Sequence, residues 1–257
     1  MTRRPIIAGN WKMHKTISEA VALAQEIVRS FSEDPDVDIV LCPAFTALGP
    51  VAEVLKGSQV WLGAQNLHWE AKGAFTGEVS AAMLCDAGCQ AVIIGHSERR
   101  QFFGETNESV NRKLKAALAR NLLPIVCVGE TLAQRQAGKT FDVIRDHVMG
   151  GYQGLSPQDA ARTVAAYEPV WAIGTGVNAT PAQAQEAHAF IRKLLAERFG
   201  DSVAGSIRIQ YGGSVKPDNI ASLLEQNDVD GALVGGASLE AASFIQILRQ
   251  AKKVRVR

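Results

Sequence analysis

The sequence predicts an α/β fold, a closed (β/α)8 barrel of eight parallel strands surrounded by helices and built as one domain over residues 1–257. Three observations predict it. Eight short apolar segments alternate with amphipathic stretches of helical period. The apolar segments read as near-continuous Val/Ile/Leu/Ala runs, as parallel strands covered on both faces require. The length, 257 residues, is close to the roughly 250 typical of this architecture.

The strands are expected at Ile6–Trp11, Asp38–Cys42, Gln59–Ala64, Ala91–Gly95, Leu122–Val128, Thr163–Tyr167, Ile207–Tyr211 and Gly231–Val234. Their spacing brackets the 30 or so residues of a βαβ unit. Helical periodicity marks Ser18–Phe31, Glu108–Arg120, Pro181–Phe199 and Glu240–Lys252 between them. Thr180-Pro181 is a helix-start pair, and Asp218 is placed to cap another helix. A doubly wound open sheet is the structural rival. No strand runs into a GxGxxG turn, which weighs against it.

Composition narrows the function. A net charge of +1 gives no nucleic-acid footprint, and Lys252–Arg257 reads as a solvated helix end. No apolar run approaches the roughly 20 residues of a membrane span. The apolar stretch after Arg3-Arg4 is only Ile6-Ile7-Ala8, too short for a signal segment. A cytoplasmic protein is expected. Of the four cysteines, Cys42 and Cys127 sit in strand-like runs as small hydrophobes. Cys85 and Cys89 lie four apart without the further ligands zinc would need.

The polar residues then fall in one place. Asn10 and Lys12 end the first strand, His96 follows the fourth and Glu168 the sixth. Gly212-Gly213-Ser214 follows the seventh strand, and Gly235-Gly236 the eighth. In a parallel barrel all lie on the C-terminal rim, where βα loops build active sites. A glutamate after a strand is commonly a surface ion-pair partner. Glu168, however, sits between Tyr167 and Pro169-Val170-Trp171, where desolvation should raise its pKa above about 4.3 and make it a base. The loop that follows, Pro169–Gly176, starts stiff and ends glycine-rich, a lid able to close and exclude water. Ser97-Glu98-Arg99-Arg100 reads as a helix start whose N–H groups disfavour protonated His96. A neutral imidazole can donate one hydrogen bond to a carbonyl. Lys12 can neutralise a phosphate and stabilise an enolate oxygen, with Asn10 orienting it or binding substrate. Glu98 is expected to pair with Lys12 or to support the site. The glycine turns and Gly174 resemble a phosphate cradle in which Ser214 offers both amide and hydroxyl.

Taken together, Gly9-Asn10-Trp11-Lys12, Gly95-His96-Ser97-Glu98-Arg99-Arg100, Ala166–Gly176, Tyr211-Gly212-Gly213-Ser214-Val215 and Val234-Gly235-Gly236-Ala237 resemble triosephosphate isomerases, in that family's order. The resemblance implies interconversion of dihydroxyacetone phosphate and D-glyceraldehyde 3-phosphate through an enediol(ate), in glycolysis and gluconeogenesis, without metal or organic cofactor. It implies Glu168, His96, Lys12 and Asn10 as the catalytic group. Asn10, Lys12, Gly174, Ser214, Gly235 and Gly236 would bind the substrate. It further implies a homodimer formed through the Gln65–Glu78 loop, with Thr76 near the partner's site. The chain departs from the family at the lid's end, Val177-Asn178-Ala179, and at Phe102-Phe103, where a tyrosine is often found. Arg99 with Glu105 still offers an ion pair. Two other readings stay open: a Schiff-base aldolase using Lys12 as nucleophile, and a barrel that only binds phosphometabolites.

Overall fold

Eight parallel strands close on themselves in the computed structural model, which describes residues 3–31, 36–173 and 179–255. They are β1 (Ile6–Asn10), β2 (Asp38–Cys42), β3 (Trp61–Ala64), β4 (Ala91–Ile94), β5 (Leu123–Val128), β6 (Val164–Tyr167), β7 (Arg208–Tyr211) and β8 (Gly231–Val234). Each pairs with its sequence neighbour, and β1 also pairs with β8, with Ile6 opposite both Asp38 and Gly231. Every expected strand is present within two residues, and the open sheet is excluded by closure.

Alternation along the strands sorts the core into two layers. Ile6, Ala8, Val40, Cys42, Ile93, Ile125, Cys127, Val164, Ala166 and Leu233 fill the barrel interior. Their neighbours Ile7, Leu41, Val92, Ile94, Val126, Ala165, Ile209 and Val234 face the helices. Both faces are apolar, so the runs look unbroken in the sequence. The same parity carries function upward: two residues beyond Ala8 stands Asn10, and two beyond Ala166 stands Glu168.

Helices Ile17–Phe31, Asn107–Ala119, Pro181–Phe199 and Ala241–Arg255 match the expected ones within three residues, and shorter helices such as Leu48–Leu55, Ala81–Asp86 and Thr140–Gly151 add to the outer layer. Their starts follow capping chemistry: Thr180 accepts from the Gln183 amide at 3.2 Å with Pro181 in the first turn. Asp218 does not cap. The helix there is Ile220–Leu224, preceded by Asn219, whose side chain turns back to accept from the Lys216 amide and donate to the Ser214 carbonyl. Loop closure outcompetes the cap. Cys42 and Cys127 are buried as expected, Cys85 is exposed and Cys89 buried.

The barrel floor is polar and separate from the rim. Arg208 and Arg4 both pair with Asp38, the latter at 3.0 Å, and buried Gln210 donates to the Ile6 carbonyl at 3.1 Å. Closure itself depends on Gly231. Its φ is +154°, and a Cβ there would lie 1.9 Å from the Ile6 carbonyl oxygen. Gly231→Ala is therefore expected to cost about 3 kcal/mol through strain and overpacking, read as a lower urea midpoint with an unchanged slope. An unshifted midpoint would contradict this account of closure.

Candidate active site

The C-terminal rim opens into a cavity of about 710 Å³ lined by Asn10, Lys12, His96, Ser214, Gly235 and Gly236, among others. Its position follows from strand direction. All eight chain segments leave the sheet on this side, so residues remote in sequence converge.

Lys12 is held in an unusual backbone state. Its φ is +52°, a left-handed conformation that costs a non-glycine residue roughly 1–2 kcal/mol. Two side chains impose it: Asn10 Oδ1 accepts from the Lys12 amide at 3.0 Å, and Gln65 Nε2 donates to the Lys12 and Cys42 carbonyls, each at 2.9 Å. The ammonium projects beside Gly235, where a Cβ would stand 3.4 Å from Lys12 Cε. It ion-pairs directly with Glu98, as expected.

His96 caps the helix Ser97–Phe103 with its own ring, Nδ1 accepting from the Glu98 amide at 3.2 Å. Nδ1 therefore presents its lone pair and Nε2 is the protonated nitrogen. Nε2 lies 3.0 Å from Glu168 Oε1. The pKa of His96 differs from the sequence expectation. Burial works most strongly against its charge and Lys12 adds to that. The Glu168 carboxylate, with help from Glu98, prevails and lifts the imidazole above its ordinary value.

Glu168 is 2% exposed and does not line the cavity. Its carboxylate is turned to the start of the Ser97 helix, accepting from the Ser97 amide at 3.0 Å and from Ser97 Oγ at 3.1 Å. The sequence expectation of a raised pKa is overturned here. Burial does push it up and is the largest single influence. The His96 charge and hydrogen bond, the Ser97 amide and the Cys127 thiol together outweigh it and hold the carboxyl below the usual range. An apolar sequence neighbourhood does not reveal which donors cross from other strands.

Of the residues expected to cradle a phosphate, Gly212, Gly213, Ser214, Gly235 and Gly236 line the cavity, with one change. The Ser214 amide donates to the Ala172 carbonyl at 3.1 Å, so the amide expected to grip an anion is engaged by the lid's leading segment. Glycine is needed at 212 and 213 for space: a Cβ would sit 3.0 Å from Glu168 Cγ in one case and 2.3 Å from Tyr211 Oη in the other. Gly174, with Thr175–Asn178, lies outside the described residues. The first part of the segment expected to act as a lid is anchored by buried Glu130, which accepts from Tyr167 Oη at 3.1 Å, Trp171 Nε1 at 2.9 Å and Arg135 Nη1 at 3.3 Å. Arg99 and Glu105 form the expected pair at 2.5 Å.

Sequence reasoning missed Ser97, Cys127 and Gln65. Ser97 adjoins His96, a signal in plain sight, yet nothing in the chain says that Glu168 reaches past β5 to meet it. The remaining two act through geometry alone.

Residues 5–251 match the family model described as "Triosephosphate isomerase". The chain is similar to the triosephosphate isomerase of Endomicrobium trichonymphae, 56% identical over 97% of this chain and 100% of that protein. It is similar to those of Chloroflexus aurantiacus and Moorella thermoacetica, 57% and 58% identical, each over 96% of this chain and 98% of the relative.

Proposed function

The chain belongs to the triosephosphate isomerase family, and on that premise we propose how its rim performs the interconversion of dihydroxyacetone phosphate and D-glyceraldehyde 3-phosphate. Glu168 removes a proton from the carbon beside the carbonyl and returns it to the adjacent carbon. The observation that carries the reading is the 3.0 Å approach of Glu168 Oε1 to His96 Nε2, with Lys12 and Asn10 lining the same mouth.

The buried carboxylate enters the cavity by side-chain rotation, giving up its bonds to Ser97. Leaving His96, and with it Ser97 and Cys127, removes what depresses its pKa, and burial then makes it a stronger base. The imidazole simultaneously loses the anion that favoured its charge and, as a neutral group, gives its Nε2 proton to the carbonyl oxygen and recovers one from the neighbouring hydroxyl, so that the two oxygens exchange roles. Lys12 stabilises the enediolate, and Asn10 fixes both Lys12 and substrate. Gly235 and Gly236 amides, the Ser214 hydroxyl and Gly174 hold the phosphate. Lid closure that breaks the Ala172–Ser214 bond adds the Ser214 amide to that grip. Remote phosphate binding is thereby converted into rate. A coupled assay in both directions, with solvent deuterium incorporated into unreacted dihydroxyacetone phosphate, tests this. Turnover with no exchange into substrate or product would point to hydrogen migration within the substrate and would overturn Glu168 as the base.

The Schiff-base reading needs an uncharged Lys12, whereas Glu98 pairs with its ammonium. Borohydride with substrate should leave Lys12 unmodified. A barrel that only binds would show no turnover at all.

The working unit is a single barrel domain in the cytoplasm, active as a homodimer. A notch of about 290 Å³ beside the active site is lined by Lys12, Met13, Phe45, Gln65 and Phe103. Around it Met13 is 95% exposed and Phe103 66%, an apolar patch of the kind that marks an interface. The Gln65–Glu78 loop, stiffened by Phe75 on His68 at 4.3 Å, presents exposed Thr76. It fits the notch of a second copy by two-fold exchange. Sedimentation should give twice the 27.5 kDa chain mass, and Phe75→Glu with Thr76→Glu should yield a monomer of much lower turnover. A fully active parent monomer would overturn the assignment.

A further inference from the structure

Glu168 is pinned from the backbone of β5. Its amide donates to the Val128 carbonyl at 2.8 Å, and the Val170 amide donates to Glu130 at 3.1 Å. Gly129 lies between these two bonds, so close that a Cβ there would stand 1.8 Å from the Glu168 carbonyl oxygen. Any shift of Gly129 is a shift of Glu168. The Gly129 amide has its partner on the helix Thr140–Gly151: it donates to His147 Nδ1 at 3.3 Å.

That helix is tied in turn to the other half of the site. Asn107 Nδ2 donates to the Asp146 carbonyl at 3.1 Å and to its carboxylate at 2.8 Å. Arg100 Nη1 donates to Asn107 Oδ1 at 2.9 Å, and Arg100 Nε to the Gly95 carbonyl at 3.0 Å. Gly95 immediately precedes His96. One run of polar side chains outside the cavity thus joins the backbone beneath His96 to the backbone beside Glu168.

We infer that His147 is a positioning residue for the isomerase reaction, its Nδ1 lone pair holding the Gly129 amide and thereby the separation of Glu168 from His96. The inference rests on Glu168 being the base. Burial and the Arg100 charge hold the His147 pKa down to about 4, with Asp146 and Glu168 acting in the opposite sense. The acceptor form therefore persists through the neutral range. Small misplacements of reacting groups are costly, about 10²-fold for 1 Å.

His147→Leu removes the acceptor while keeping bulk, and His147→Asn keeps an acceptor at the δ position. The leucine variant should lose about tenfold in kcat with KM and melting temperature nearly unchanged, and the asparagine variant should recover most of that loss. Equal kcat in leucine variant and parent, or equal losses in both variants, would overturn the inference. The parent protein decides independently of folding: ¹⁵N NMR should show His147 Nδ1 unprotonated and coupled to the Gly129 amide, and a proton on Nδ1 would refute it. Glu168→Gln run alongside separates the two readings: full activity there removes the base, while the His147 Nδ1 signal of the parent still reports the geometry on its own.

Discussion

Glu168→Gln is expected to lower kcat by about 10³-fold, within the range assigned to a positioned general base and equivalent to about 4 kcal/mol of barrier. Affinity for inorganic phosphate should change less than threefold, because the cradle residues are untouched. The amide is nearly isosteric, and its oxygen can still accept from the Ser97 amide, so a folded protein is expected. The variant also has a spectroscopic consequence. Burial and Lys12 work against the charge of His96, which owes its raised pKa chiefly to the Glu168 carboxylate and in smaller part to Glu98. With the charge removed, only Glu98 is left to oppose burial and Lys12, and the imidazole should titrate at lower pH than in the parent. NMR titration of His96 checks the sign. A variant that keeps its turnover would end the assignment of Glu168 as base. An unmoved His96 titration would mean that the two side chains are not coupled in solution.

The fold was legible because its signals are local and redundant. Parallel strands buried on both faces leave continuous apolar runs, and a cap such as Thr180-Pro181 is written in adjacent residues. The site was legible for a related reason: period-two alternation carries Asn10 and Glu168 onto the interior rows defined by Ala8 and Ala166. What escaped was everything decided between segments. Asp218 has the chemistry of a cap, but Asn219 spends its side chain closing the Lys216 turn and the helix begins without one. Glu168 has apolar neighbours along the chain, yet His96 and Ser97 from the segment after β4 and Cys127 from β5 meet it and reverse the direction of its pKa. The left-handed φ of Lys12 has no sequence signature either, since it is imposed by Asn10 and by Gln65 from the third βα loop.

That backbone state makes Lys12 the place where activity and stability should part. Lys12→Met, which keeps the stem and drops the charge, is expected to lower kcat about 10²–10³-fold, the range seen when a single oxyanion-stabilising group is removed. KM should rise as well, because the proposed role also sets that ammonium against the substrate phosphate. Lys12→Gly should lose at least as much activity. Glycine takes φ near +52° without the 1–2 kcal/mol that an L side chain costs there, and its greater unfolded-state freedom offsets roughly 0.5–1 kcal/mol of the gain. The glycine variant should therefore melt no lower than the parent, although an ion pair with Glu98 is gone. That pair is partly exposed, so its loss is worth little. Thermal denaturation beside steady-state kinetics separates the possibilities. A glycine variant that is inactive and markedly less stable would make Lys12 a structural residue. One that is inactive and equally stable would show that the fold keeps a strained lysine at position 12 for its charge.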